Sequence, residues 1–233
     1  MPDGVKSVAA RRNQPVAQVF PRSANVLVRA GIASSVLLVS VLTLVAAGMY
    51  QSPLVNSMKI AKAQPIPFSH QRHVGGNGMD CRYCHTSVDS SNFAGVPPTE
   101  TCMTCHSQIL TDAPMLQPVH ESWKNGTPIE WTRIYDLPDF VYFDHSVHIA
   151  KGVGCTTCHG AIDQMRLTHK ATNLYMGWCL QCHRAPEKFL RPQDKVFDVE
   201  WKAPRNQIEE GLRLVKENNV NVGQLTNCSI CHR

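Results

Sequence analysis

Five C-x-x-C-H runs use every cysteine of the chain: CRYCH at 81–85, CMTCH at 102–106, CTTCH at 155–159, CLQCH at 179–183 and CSICH at 228–232 account for all ten. Whatever the chain folds into must present five such turns. A disulfide framework also needs an even cysteine count, but it gives no reason for a histidine after every second cysteine. Structural zinc would take cysteines in fours or with more distant histidines, and a thioredoxin-like redox motif would occur once. The run does match haem c attachment, in which two thioethers fix the porphyrin and the adjoining histidine is the proximal iron ligand. The expected thioether positions are Cys81 and Cys84, Cys102 and Cys105, Cys155 and Cys158, Cys179 and Cys182, and Cys228 and Cys231. The expected proximal ligands are His85, His106, His159, His183 and His232, and the expected cofactor is five covalently bound haem c groups with their irons.

All five runs lie in residues 65–233, which leaves about 34 residues per haem. So little protein per cofactor cannot build a conventional apolar core, so the macrocycles must serve as the core. The expected fold is haem-cored and loop-rich, with short α-helices and little sheet. The 15 prolines and 14 glycines agree with that. Outside the motifs the periodicity predicts a helix over about Arg205–Asn218, with Ile208, Leu212 and Val215 as its apolar stripe and Gly211 as a weak point. Asp139–His145 reads as a short extended segment packed on porphyrin rather than as part of a sheet.

Ahead of the motifs, Ala30 to Tyr50 is 21 residues without a charge. At 1.5 Å per residue it makes a helix of about 31 Å, close to the hydrocarbon core of a bilayer. Lys6, Arg11, Arg12, Arg22 and Arg29 precede it against a single Asp3, and the positive-inside rule then keeps the leader in the cytoplasm. We expect a single-pass protein of the bacterial inner (cytoplasmic) membrane, with its haem domain on the periplasmic, outer side. A cleaved signal peptide is the alternative, since VAAGM offers small residues; the long apolar run and the 29-residue leader favour an uncleaved anchor. A polar leader rich in Pro and Arg has no core of its own, so we expect other subunits of a membrane complex to hold it. The formal charge of +5 does not point to nucleic acid. The leader supplies most of it, haem propionates offset about five units, and no basic stretch is interleaved with aromatics.

The chain also repeats itself. F-x-H-x-x-H occurs at 68–73 and again at 143–148, each time shortly before a pair of C-x-x-C-H runs. The expected order is a cytoplasmic leader (1–29), a transmembrane anchor (30–50), a linker (51–64), a first dihaem unit (65–126), a second (127–190) and a C-terminal segment with the fifth haem (191–233). The position opposite the proximal histidine decides what a haem does: left open it binds small molecules, and filled by protein it leaves electron transfer. His70, His73, His145 and His148 are the expected distal ligands. Two histidines three residues apart on one helical turn point the same way, so each pair serves two neighbouring haems rather than two faces of one. Phe68 and Phe143 are expected on a porphyrin edge. One haem then lacks a distal ligand, for which Met176 ranks first, His169 second and His120 third. Against Met176 stands core packing, and against the two lone histidines an ordinary solvated or hydrogen-bonded role. A Met176 thioether would raise that haem's potential relative to bis-histidine.

F-x-H-x-x-H followed by C-x-x-C-H resembles the class III multihaem cytochromes c. The resemblance implies that His70 pairs with His85 and His145 with His159, and it leaves the haems served by His73 and His148 open. PPTETCMTCH, YDLPDFVYFDHSVHIAKGVGCTTCHG and MGWCLQCHR resemble the membrane-anchored pentahaem cytochrome c subunit of alternative complex III. That resemblance implies a quinol-oxidising respiratory or photosynthetic complex with iron–sulfur and integral-membrane subunits as partners. Its electrons would leave for a soluble c-type cytochrome, a copper protein or an oxidase.

We therefore expect a non-catalytic electron-transfer subunit. The predicted span carries no carboxylate or histidine, so quinol chemistry would belong to partners. One alternative is a membrane-anchored quinol dehydrogenase feeding a periplasmic reductase, which direct reduction of the isolated subunit by quinol would favour. Another is a multihaem reductase with an open haem, which a high-spin ferric signal would favour.

Overall fold

In the computed structural model, which describes residues 19–232, the apolar run is a 30-residue helix, α1 (Arg22–Gln51). It begins at Arg22 rather than at Ala30, and residues 1–18 of the expected leader lie outside the described residues. Pro53 stops it, because proline has no amide hydrogen and its ring disfavours helix in the residue before it. Ser23–Gln51 is long and apolar enough to cross a membrane. Two of its hydroxyls are satisfied within the helix: Ser40 donates to the Val36 carbonyl and Thr43 to the Val39 carbonyl, both at 2.8 Å. That is what apolar surroundings require of them.

Residues from Pro53 onward form a separate compact unit that contains all five motifs. The segment expected to be a linker is pinned to it. Helix α2 (Pro53–Asn56) is followed by single bridges from Met58 to Lys170 and from Ala61 to His169. The Gln64 side chain both donates to and accepts from the Thr132 backbone.

Short helices carry the rest: α3 (Cys81–Cys84), α4 (Thr99–His106), α5 (Gln117–Asn125), α6 (His145–Ala150), α7 (Cys155–His159), α8 (Met176–Arg184), α9 (Gln207–Glu217) and α10 (Cys228–Cys231). Among the described residues there is no sheet, only three isolated bridges. Protein-only apolar clusters are small. Ile66, Leu116 and Val119 pack with Cys102 and Trp131 where α4 meets α5, and Val88, Ile149 and Val196 form a second group.

Helix α9 forms where its periodicity places it, but it buries a different face. Ile208 and Leu212 are about half exposed, while Gly211 and Leu214 are buried. The helix lies on the turn Pro186–Lys188 so closely that a Cβ on Gly211 would sit 1.8 Å from the Glu187 carbonyl oxygen. One turn earlier, Gln207 Nε2 donates to the carbonyls of Glu187 and Leu190 at 3.0 and 2.8 Å. The glycine that weakens the helix on propensity grounds is the residue that lets it dock, and it moves the buried stripe round to Gln207, Gly211 and Leu214.

Candidate functional site

The two F-x-H-x-x-H stretches are built alike, and the residue between Phe and His has a task. Ser69 Oγ accepts from the Arg72 amide at 3.3 Å, and Asp144 Oδ1 accepts from the Val147 amide at 3.3 Å, so each starts the turn that carries the histidines. Their backbone carbonyls then hold the second histidine: His73 Nδ1 donates to Ser69 O at 2.9 Å and His148 Nδ1 to Asp144 O at 2.6 Å. The first of these turns is π-helical (Gln71–Gly76), and the second is the α-helix α6. Phe68 meets His70 edge-on at 5.0 Å and stacks on His73 at 4.4 Å; Phe143 does the same to His145 and His148 at 4.8 and 4.5 Å. Each aromatic thus braces an imidazole pair. The sequence reading missed Ser69 and Asp144, although serine and aspartate are helix-capping residues.

The first histidine of each pair is held from the other repeat. His70 Nδ1 bonds the Thr168 hydroxyl at 3.0 Å, and His145 Nδ1 donates to the Asn92 carbonyl at 2.9 Å. The repeats therefore lock into each other within one unit. Proximal histidines are oriented in the same manner. His85 Nδ1 donates to Gly95 O (2.7 Å), His106 to Ile109 O (3.2 Å), His183 to Leu225 O (2.8 Å) and His232 to Phe140 O (3.1 Å). A carbonyl only accepts, so Nδ1 carries the hydrogen and Nε2 keeps its lone pair for a metal.

Three imidazole pairs face each other across a gap. Ring centroids are 6.5 Å apart for His70 and His85, 6.2 Å for His73 and His106, and 6.2 Å for His148 and His183. Two imidazoles bound through nitrogen to opposite sides of one ion, at about 2 Å each, have centroids roughly 6 Å apart. The residues present therefore fit an iron between each pair. His159 lies against the Tyr135 ring at 4.4 Å, and burial first, then His145, His85 and His70, pull its pKa down to about 4. Burial, then His85 and His73, lower His70 to about 4 as well, and burial is the chief cause of a lowered His148. All three stay neutral near pH 7, the form that ligates metal.

The motifs neighbour one another in the order second, first, third, fourth, fifth. Tyr83 OH and Thr104 Oγ1 join the first two motifs at 2.9 Å. Cys81 and Cys155 lie beside each other, joining first to third. Burial lifts the Cys158 thiol to about 12 with Cys182 and Cys179 adding to it, and Cys231 likewise acts on Cys179. Tyr142 N donates to Cys231 O at 2.8 Å, tying the fifth motif to the chain just before Phe143. All ten cysteines are free of disulfides, and among the described residues no three His, Cys, Asp or Glu side chains gather as a metal cage.

The three candidates for the last distal position differ in setting. Met176 opens α8, is 62% exposed, and precedes Cys179 by three residues. His169 pairs with Ala61 and its Nδ1 bonds Leu167 O at 3.3 Å, beside the end of the third motif. His120 lies on α5 against α4, next to the second motif, with its Nε2 buried and unpartnered.

Residues 141–233 match the family described as cytochrome c7 and related cytochrome c. Among curated proteins, the multiheme cytochrome c subunit of menaquinone reductase from Nitratidesulfovibrio vulgaris is 32% identical over 177 residues, covering 74% of this chain and 78% of that protein. With its motifs, its facing imidazoles and this relationship, the chain belongs to the multihaem c-type cytochromes, whose cofactor is covalently bound haem c.

Proposed function

We propose that this chain is a pentahaem electron-transfer subunit of a membrane quinone-linked oxidoreductase. The observation that carries it is the set of facing imidazole pairs with bare Nε2 atoms beside C-x-x-C-H turns. In this reading His70 with His85, His73 with His106, His145 with His159, and His148 with His183 would each hold one haem iron, and each F-x-H-x-x-H turn would tie two adjacent haems. Bound haem would supply a one-electron centre, and irons held by two histidines would be suited to electron transfer rather than to binding substrate. The small protein-only clusters support a haem-cored interior. The motif contacts support a row in the order second, first, third, fourth, fifth.

His232 needs a distal ligand near the fifth motif, and Met176 suits that place. It lies on the same face of α8 as Cys179, which neighbours Cys231. Its exposure argues against a gap-filling role in the core. His120 and His169 lie beside the second and third motifs, which already have their histidine partners.

In the membrane assignment, α1 anchors the chain in the inner membrane with the leader cytoplasmic and the haem domain outside. Quinone chemistry belongs to partner subunits, because α1 carries no carboxylate or histidine as proton acceptor. The sequence resemblance favours quinol oxidation in an alternative complex III, with iron–sulfur and integral-membrane partners and a c-type cytochrome, copper protein or oxidase as acceptor. The relative named for menaquinone reduction favours the opposite direction, with electrons entering from a periplasmic donor.

Purification of the intact membrane complex separates the two. Haem reduction on anaerobic addition of a quinol analogue supports oxidation. Oxidation of pre-reduced haems by a menaquinone analogue, without reduction by quinol, supports the second direction. Redox inertness toward both, or a pyridine haemochrome count below five per chain, overturns the assignment.

A further inference from the structure

Arg191 is 3% exposed and takes part in no ion pair among the described residues. A guanidinium has five N–H donors and is always charged. Four of them go to neutral acceptors. Nη1 donates to the carbonyls of Lys195 and Asp198 at 3.3 and 3.2 Å, and Nη2 to the hydroxyls of Thr156 and Thr157 at 2.9 and 3.3 Å. The fifth, on Nε, is buried without a partner. Trp201 covers one face of the guanidinium at 4.4 Å. The nearest carboxylate in effect is Asp198, which is already bonded to Lys195 Nζ at 3.3 Å, so Arg191, Lys195 and Asp198 together keep one net positive charge.

This buried cation is built into the third motif. Thr156 and Thr157 are the two residues between Cys155 and Cys158, and a Cβ on Gly154 would lie 2.0 Å from the guanidinium carbon. The other groups able to offset its charge are the thiols of Cys155 and Cys158, and thioether attachment makes both permanently neutral. A buried charge without a counter-ion is costly and acts strongly on its surroundings. The group beside this motif that changes charge in function is the iron: bis-imidazole haem iron with its porphyrin is singly positive when ferric and neutral when ferrous, before its propionates are counted. Gain of one electron there removes one positive charge from the neighbourhood of Arg191.

We propose that Arg191 is a positioning residue of the third motif whose fixed charge raises the reduction potential of the haem held by Cys155, Cys158 and His159. The proposal rests on the haem assignment above. It gives one member of the bis-histidine set a higher potential than its ligands alone would confer.

Three variants of the full chain in its membrane complex test it, each titrated between dithionite and ferricyanide while the haem α-band and ferric signals are followed. Arg191→Gln should retain five haems and shift one midpoint to lower potential, with four unmoved. Arg191→Lys should keep that midpoint near its wild-type value. Thr156→Asp leaves the arginine in place and sets a carboxylate beside it, so it should lower the same midpoint. Unchanged midpoints in Arg191→Gln with five haems present, or an equal shift in Arg191→Lys, overturns the charge role and leaves Arg191 as a structural residue. Should Arg191→Gln lose a haem, an unmoved midpoint in Thr156→Asp overturns the proposal and a lowered one sustains it. A wild-type chain that never held haem at this motif, seen as an unchanged haem count in Cys155→Ala/Cys158→Ala, would overturn the assignment on which the proposal stands.

Discussion

Thr168 Oγ1 lies 3.0 Å from His70 Nδ1, across 98 residues of sequence. It is the one side-chain hydroxyl in a role that backbone carbonyls fill for eight other candidate ligands. A hydroxyl is a weaker acceptor than a carbonyl, so it makes the imidazole less basic. Thr168→Val should cost about 1 kcal/mol of stability and alter one low-spin ferric signal with the haem count unchanged. Thr168→Ser should restore both, as read by thermal unfolding and low-temperature spectra.

His73 and His148 are predicted to serve the haems of the second and fourth motifs. His73→Ala and His148→Ala should each convert one haem of five from low-spin to high-spin, and the double variant should convert two. Identical spectra for the two single variants and the double would show that both histidines serve one iron.

Met176→Leu keeps size and apolarity but removes the thioether. The highest-potential haem should lose six-coordinate low-spin character and its midpoint should fall, while the bis-histidine members stay put. Five unchanged low-spin haems with unchanged potentials would remove Met176 from the ligand set.

The docking of α9 on Pro186–Lys188 makes Gly211 and Leu212 opposites. Gly211→Ala should destabilise the unit by about 1–3 kcal/mol through overpacking against Glu187. Leu212→Ala, on the half-exposed face, should stay within about 0.5 kcal/mol. Thermal unfolding of the two variants decides between this face and the one the periodicity suggested.

The sequence by itself determined the chemistry that is local. Cysteine spacing and the following histidine sit within five residues, so the attachment turns can be read without a fold. So can the apolar run that becomes α1, and the lack of sheet follows from how little chain serves each motif. Tertiary structure decided what meets over distance: His73 opposite His106 and His148 opposite His183 within the repeats, His145 held by Asn92 and His70 by Thr168 across them, and Arg191 beside the third motif. The physical reason lies in the partners. Most of the groups that orient these imidazoles are backbone carbonyls, which every residue carries, so no letter of the sequence marks them. Gly211 shows the same limit, because its small size matters only once Pro186–Lys188 is brought against it.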